Sequence, residues 1–327
     1  SQSGFRRDRD APEQTMAMSI QQEQAEEGGR PWYRGFIDYS GFFQSIVRRV
    51  QEMAEAKGHV PVTVTEAVVA LHDSLRVAVD TGACVAPAVP SLTGNGQGDT
   101  DGPVRSMLML DAITRAVEQT CAGFRYDMPE GVGATRVPQV WFADDGSFGT
   151  DDHSTLQMVF TVVSMVARVA GLEIGIDSEQ KGTKTAWHGA EPDGDGGYAE
   201  CDGSKPVVLV DGRVVPLAKG KYKHLGTWLE TTARHHATRE RVVARCRGIA
   251  GMLARLGCLT AAQYVEAVDI AVRSVIMYFG AATPMSRSAC ERIDRAKRIG
   301  LAAMGHRARR SARWLVHARE AEGGMGM

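Results

Sequence analysis

Cysteine is sparse in this chain of 327 residues. The six cysteines (Cys84, Cys121, Cys201, Cys246, Cys258 and Cys290) lie far apart, and none belongs to a Cys-x-x-Cys pair. That excludes a zinc knuckle and a dense disulfide framework, and the thiols are read as small buried hydrophobes in a reducing compartment. Long hydrophobic runs are missing too. No stretch reaches the roughly 18 consecutive apolar residues of a membrane-spanning helix, and the first residues lack the charged-then-apolar layout of a signal peptide. The expectation is a soluble intracellular protein, nuclear or cytoplasmic, with no membrane partner. Net charge is nearly absent, 38 Lys and Arg against 39 Asp and Glu, so a supercharged tail is excluded. What is present is a 43% hydrophobic content, which at about 150 residues per domain implies one large or two ordinary domains with real cores.

The near-zero charge is a cancellation. Residues 1–203 hold 16 basic and 30 acidic side chains, whereas residues 204–327 hold 22 basic and 9 acidic. Such asymmetry points to a nucleic-acid surface on the basic side, with solvated helix faces as the plainer alternative.

Patterning supports an α/β region followed by an all-α region. Residues 32–38 (Trp-Tyr-Arg-Gly-Phe-Ile-Asp) read as a strand ending on an acid, and Phe42, Phe43, Ile46, Val47, Val50 and Met53 as one helix stopped by Lys57-Gly58. A second helix is expected behind Thr63 and Thr65 with Val68, Val69, Leu71 and Leu75 on its apolar face, then a strand-like Ala83-Cys84-Val85. The Gly-rich turn 93–103 precedes an apolar helix over 104–121. Residues 139–143 read as a strand entering a hairpin at Asp144-Asp145-Gly146, since Asp-Gly tolerates the positive φ of tight turns. A buried helix follows over 156–170, then extended chain at 171–174, a Gly/Asp/Pro-rich loop at 189–205 and a second Asp-Gly hairpin at Asp211-Gly212. Amphipathic helices over 239–256, 261–279 and 286–304 complete the chain. Met107, Met109, Met158 and Met165 are read as core filler, and His153, His188, His224, His235 and His236, which show no ligand spacing, as surface residues.

An acid ending one strand and an acid pair on a hairpin tip are what two-metal phosphoryl transfer uses, because two divalent ions need carboxylates from separate strands converging on one spot. Asp38 with Asp144 and Asp145 meet that requirement. An Asp-Asp-Gly turn alone is more often simply a turn; the order of the surrounding motifs adds to it.

That order resembles the palm of reverse transcriptases (RNA-directed DNA polymerases), especially those of non-LTR, LINE-type retrotransposons. Gln2-Ser3-Gly4-Phe5-Arg6 resembles the family's finger motif and is followed by a helix with Gln14 and Met16. Phe36-Ile37-Asp38-Tyr39-Ser40-Gly41-Phe42-Phe43 resembles the first catalytic motif, which would make Asp38 a metal ligand and Phe43 the aromatic beneath the incoming sugar. Gly94-Asn95-Gly96-Gln97-Gly98-Asp99 with Pro103 is similar to the motif that would set Gln97 and Gly98 beside the nucleotide. Phe142-Ala143-Asp144-Asp145 resembles the aromatic-Ala-Asp-Asp signature, with Asp144 the principal ligand and Asp145 its support. Gly171-Leu172-Glu173-Ile174 with Lys184-Thr185 resembles the next motif, making Lys184 a nucleotide contact, and Tyr222-Lys223-His224-Leu225-Gly226 the primer-grip turn. Tyr278-Phe279-Gly280-Ala281 and Glu322-Gly323-Gly324-Met325-Gly326 have counterparts in the helical region. Gln44 and Phe42 depart from the family, which has a second Asp and a small residue there.

The resemblance implies an α+β fold: a right-hand polymerase palm with partial fingers and an all-α thumb. Residues 1–30 would be partial fingers, 31–228 palm and 229–327 thumb with the start of a downstream connection. It further implies nucleotidyl transfer from dNTPs on an RNA template and DNA primer with two Mg²⁺ or Mn²⁺ ions. Leu225, Gly226, Arg239, Arg241, Arg245 and Arg247, with Arg307, Arg309, Arg310 and Arg313, would grip the nucleic-acid backbone. Because the chain starts inside the fingers, an upstream segment is expected to be required for activity. The alternatives are a catalytically inactive, retroelement-derived nucleic-acid-binding remnant and, less favoured, a cyclase-like palm enzyme.

Overall fold

A computed structural model describes residues 11–304, apart from 75, 79–81, 91–93, 95–101, 128–133, 138, 143, 177–184, 232–234, 257 and 281–282. The described chain is mixed α+β and falls into two compact units. One runs to Lys219 without Thr15–Ser19; the other comprises Thr15–Ser19 and the chain from Gly220 onward.

Helix α1 (Ala11–Glu27) leads into the first unit's β1 (Trp32–Ile37) and two-residue β2 (Tyr39–Ser40). The single helix expected over 42–57 is two, α2 (Phe42–Ser45) and α3 (Arg48–Lys57). Ile46 and Val47 are extended between them, because tertiary contacts take their backbone groups: Gly94 N–H donates to Ile46 O (2.9 Å) and Val47 N–H to Ala170 O (2.8 Å). Helix α4 (Val62–Ser74) starts at Val62, ahead of Thr63 and Thr65, and turns Leu71 to solvent while burying His72. Cys84 is exposed and Val85 makes only an isolated bridge; the extended pieces nearby are β3 (Arg76–Val77) and β4 (Val89–Pro90). Helix α5 (Gly102–Thr120) matches the periodicity and is followed by β5 (Phe124–Asp127), β6 (Ala134–Val137), β7 (Gln139–Phe142) and β8 (Asp145–Thr150).

Asp152 caps α6 (His153–Ala170), its side chain accepting the Thr155 N–H at 2.7 Å, and Gly171 closes the helix in the left-handed region. Then come β9 (Glu173–Ile174), β10 (Ala186–Pro192), β11 (Tyr198–Glu200), β12 (Val207–Val208) and β13 (Val214–Val215). The loop expected over 189–205 is thus largely a hairpin, whose Asp193 carboxylate accepts the N–H groups of Asp195 and Gly197 and closes the turn. The main sheet is antiparallel, in the order β11-β10-β1-β8-β7. One face is covered by α5 and α6 through Ile113, Val117, Phe160 and Val163, which join Phe148 of β8 in the core. β1 is buried along its whole length. Its Arg34 is held by Gln21 Oε1 (3.3 Å) and by the Trp32 ring (4.7 Å), and burial pushes its guanidinium down to about 10.

The second unit has a hairpin, β14 (Lys221–His224) and β15 (Thr227–Glu230), and three helices, α7 (His236–Arg255), α8 (Ala261–Gly280) and α9 (Arg287–Ala303). Val242, Val243, Cys246, Tyr264, Val268, Val272, Ile293 and Leu301 form its core. Arg292 pairs with Glu240 across α9 and α7 at the surface, and Lys297 reaches Asp269 of α8 at 3.2 Å. Met158 and Met165 are exposed and are not core filler, Cys258 and Cys290 are exposed, and His188 and His224 are buried, not on the surface. No helix among the described residues is long and apolar enough to cross a membrane.

Candidate functional site

The candidate site is built on strand register. β1 pairs antiparallel with β8 so that Ile37 faces Gly146 and Phe36 faces Ser147; Asp38 is therefore one step beyond the last pair, level with Asp145. Asp145 in turn pairs with Phe142, and Asp144 occupies the turn between β7 and β8. Three acidic positions thus meet at one end of a three-strand segment, and all three residues are half-buried.

Asp38 is fixed through its backbone. Its N–H donates to the Thr185 hydroxyl (3.2 Å), that hydroxyl lies 3.3 Å from Asp38 O, and Gly175 N–H donates to the same oxygen at 2.9 Å. Thr185 is fully buried. β2 pairs with β9, Tyr39 with Ile174 and Ser40 with Glu173, so the segment after α6 runs alongside the residues that follow Asp38. The approach is close: a Cβ at Gly175 would come 3.1 Å from Ser40 Oγ and 3.5 Å from Asp38 Oδ2. Sequence reasoning had Thr185 only as the neighbour of Lys184; its hydroxyl bracing Asp38 across 147 residues of sequence has no local signal.

The hairpin tip is held from below. The sequence expects Asp145-Gly146 to form the turn, but the chain reverses ahead of that pair, between Phe142 and Asp145, and Gly146 stands in β8 because Trp141 packs over it. A Cβ there would lie 2.6 Å from Trp141 Cη2. The Trp141 ring stacks on Tyr39 at 6.2 Å, and its Nε1–H donates to Gln139 Oε1 (2.9 Å), whose amide donates to Thr114 O (2.6 Å). The Gln14 amide donates to Trp141 O, tying α1 to the same strand. Burial holds the Tyr39 phenol well above its ordinary value, so it stays neutral beside the acids.

Phe43 is half-buried, edge-on to Phe42 at 5.6 Å, and packs against the core. Gly94, the first residue of its motif, has φ near +71° and lies directly on the Gln44 backbone, where any Cβ would collide. That contact brings the start of the second motif onto the helix of the first. Gln97, Gly98, Lys184, residues 2–6, Arg307, Arg309, Arg310, Arg313 and residues 322–326 lie outside the described residues.

Nearby, α3, α4 and α5 share a buried charge cluster without a sequence signal. Glu55 Oε1 accepts from Arg105 Nε at 2.5 Å, and Arg105 Nη1 lies 2.9 Å from His72 Nδ1. The cluster fixes α5, whose N-terminus follows the Gly-rich motif.

Within the second unit, Leu225 and Gly226 form the two-residue turn of β14–β15, both with positive φ (46° and 80°), the combination of a type I′ hairpin. Tyr278 donates its hydroxyl to Leu225 O at 2.9 Å. On α7, Arg241, Arg245 and Arg247 are exposed and Arg239 is half-buried. At about 100° per residue, Arg241 and Arg245 share a face, whereas Arg247 lies about 120° around the helix from Arg241. The four arginines do not make one row, and Arg255, unremarked in the sequence, belongs with Arg241 and Arg245.

Hard carboxylate oxygens from separate strands are the donor set that suits Mg²⁺ or Mn²⁺. Among the described residues no three His, Cys, Asp or Glu side chains stand close enough together to hold a metal ion. The acids therefore converge as backbone positions, with their side chains not gathered into a cage.

Neither a protein-family model nor a curated protein sequence matches the chain. Among solved structures, the chain is similar to telomerase from Candida tropicalis in complex with a TWJ fragment of telomeric RNA, at 8% identity and a TM-score of 0.45. The match covers 94% of this chain and 48% of that one, so the chain spans about half the length of that protein.

Proposed function

We propose that the chain is a reverse-transcriptase-type nucleotidyltransferase, residues 31–228 acting as palm and 229–327 as thumb. The observation that carries the reading is the β1–β8 register, which sets Asp38 level with Asp145 and beside Asp144. The motif order from Asp38 through Gly226 supports it. In this reading Asp38, Asp144 and Asp145 would hold two Mg²⁺ or Mn²⁺ ions, which would supply charge neutralisation at the triphosphate and acidify a primer 3′-hydroxyl. The chain's own residues do the positioning. Thr185 and Gly175 keep the Asp38 backbone in place, Trp141 supports the hairpin tip, and Phe43 lies beneath the sugar of a dNTP. Gln97, Gly98 and Lys184 contact the nucleotide, Leu225-Gly226 supports the primer, and Arg239, Arg241, Arg245 and Arg247 contact phosphates of the RNA–DNA duplex.

The experiment is Mg²⁺- or Mn²⁺-dependent extension of a DNA primer on an RNA template by wild type and Asp144→Asn. Extension by wild type that is lost in Asp144→Asn is expected; extension that survives the substitution would sink the carboxylate assignment.

A second reading is a nucleic-acid-binding remnant of a retroelement, favoured by the exposed Arg241 and Arg245 on one face of α7. It predicts strongly salt-dependent duplex binding with no incorporation by any form of the protein.

A further inference from the structure

The strands of the β14–β15 hairpin are fixed by α7. The Thr238 hydroxyl accepts the Trp228 N–H at 3.0 Å and donates to Trp228 O at 2.9 Å, and the Glu230 carboxylate accepts the Ala237 N–H at 2.8 Å. Thr231 N–H donates to Gly220 O at 3.0 Å and closes the base. The tip lies at the other end, beside the last turn of α8. There the Tyr278 hydroxyl donates to Leu225 O at 2.9 Å, and a Cβ at Gly226 would lie 3.7 Å from the same hydroxyl oxygen. The phenol is therefore against both turn residues. Its ring stands edge-on to Phe279 at 5.0 Å, and Phe279 is buried in the three-helix core.

The turn is poorly suited to its own sequence. A type I′ turn needs positive φ at both central positions, which Asn-Gly adopts readily and a leucine only at a cost. Leu225 nevertheless stands at a φ of 46°. Such a residue persists where its surroundings over-determine it, and the Tyr278 bond acts on the carbonyl of that very residue.

We propose that Tyr278 is a positioning residue for nucleic-acid binding, its hydroxyl holding the Leu225-Gly226 turn in the form that meets the primer strand of an RNA–DNA duplex. The proposal rests on the reading of this hairpin as the primer support. Tyr278 acts through Leu225 and not by touching the duplex. Without the bond, the leucine relaxes toward negative φ, the tip spends part of its time in other forms, and duplex affinity falls by the fraction of the competent form that is lost.

Hydrogen exchange of the amides of residues 221–230 and fluorescence anisotropy of a labelled RNA–DNA duplex, both on the whole chain, test this. Far-UV circular dichroism shows that each variant folds. Tyr278→Phe keeps the ring and removes the bond. It should speed exchange at the turn and raise the duplex Kd about three- to fivefold, the worth of one hydrogen bond. Leu225→Asn lets the turn keep its shape unaided, so in its presence the loss caused by Tyr278→Phe should shrink to under about twofold. A loss that stays whole beside Leu225→Asn would mean that Tyr278 acts on the duplex directly and would overturn the proposal. So would a Kd indifferent to Tyr278→Phe. A wild type that binds no duplex sinks the reading of the hairpin and the proposal with it, whereas unchanged exchange at the turn, with duplex binding by wild type intact, sinks the brace alone.

Discussion

Tyr264 and Gly300 offer a quantitative test of how the three-helix unit is built. Tyr264 is fully buried among α7, α8 and α9, with its hydroxyl 3.3 Å from Ala250 O and 3.2 Å from Lys297 O. Gly300 lets α9 approach it: an alanine methyl there would overlap the phenolic oxygen and lie 2.9 Å from Cζ and 3.1 Å from Ala250 O. The ring is fixed by three helices, so the overlap is relieved only by moving α9. Overpacking of this kind costs about 1–3 kcal/mol, and the displaced hydroxyl bond about 1 kcal/mol more, while alanine's better helix propensity returns about 1 kcal/mol. Gly300→Ala should therefore destabilise the chain by about 1–3 kcal/mol. Tyr264→Phe removes one proton shared between two carbonyls that helices already satisfy, and should cost about 1 kcal/mol. In the double variant the methyl enters the space the hydroxyl vacated. The two effects should then fall short of additivity by about 1–2 kcal/mol, with the double variant more stable than Gly300→Ala alone. Urea unfolding followed by far-UV circular dichroism measures all four proteins, provided the m value is constant. Additive losses, or a neutral Gly300→Ala, would refute the contact as the reason for glycine at 300.

Three further outcomes follow from local physics. Glu55→Gln leaves Arg105 buried without its carboxylate beside His72 and should cost about 3–5 kcal/mol in the same unfolding experiment, whereas an exposed pair such as Arg287–Glu291 should be nearly silent. Asp152 is held below the ordinary carboxylate value by the Ser154 hydroxyl first, against a smaller opposing effect of burial, and then by Thr155; its stabilisation is present above the unfolded-state pKa near 4 and disappears as pH falls through the lower folded value. Asp152→Asn should keep the cap at neutral pH and flatten the stability profile below about pH 4, while Asp152→Ala loses about 1 kcal/mol at pH 7, both read from unfolding midpoints. Leu225→Asn removes the cost of a branched side chain at positive φ in a turn whose preferred sequence is Asn-Gly, and should raise stability by about 1 kcal/mol; a lower melting temperature would contradict the strained-turn account.

Much of the architecture follows from local pattern. The strand 32–37, the hairpin flanking Asp144 and Asp145, the helix behind the Gly-rich turn and the three C-terminal helices were legible because each carries its own period or turn chemistry. Misreadings arose where a distant segment competes for the same backbone. Ile46 and Val47 have helical spacing, yet Gly94 and Ala170 claim their hydrogen bonds and break the helix. Gly146 looked like a turn glycine, but the Trp141 ring needs the space. The Gly- and Asp-rich stretch at 189–205 lacks a hydrophobic alternation, and its strand forms because β1 offers an edge to pair with. Met158 and Met165 sit on an apolar helix whose two sides look alike in sequence, and packing against α5 decides which side is covered.

By itself the sequence determined which acids are available, which segments are helical or extended, and where the charge changes sign, since those properties belong to single residues or to short periods. Tertiary structure alone decided that Asp38 stands level with Asp145, that Thr185 and Gly175 hold its backbone, and that Met158 and Met165 of α6 face solvent. Register, hydrogen bonds across 147 residues and the phase of a helix against its core are relations between distant parts of the chain. They exist only once the hydrophobic core has fixed those parts against each other.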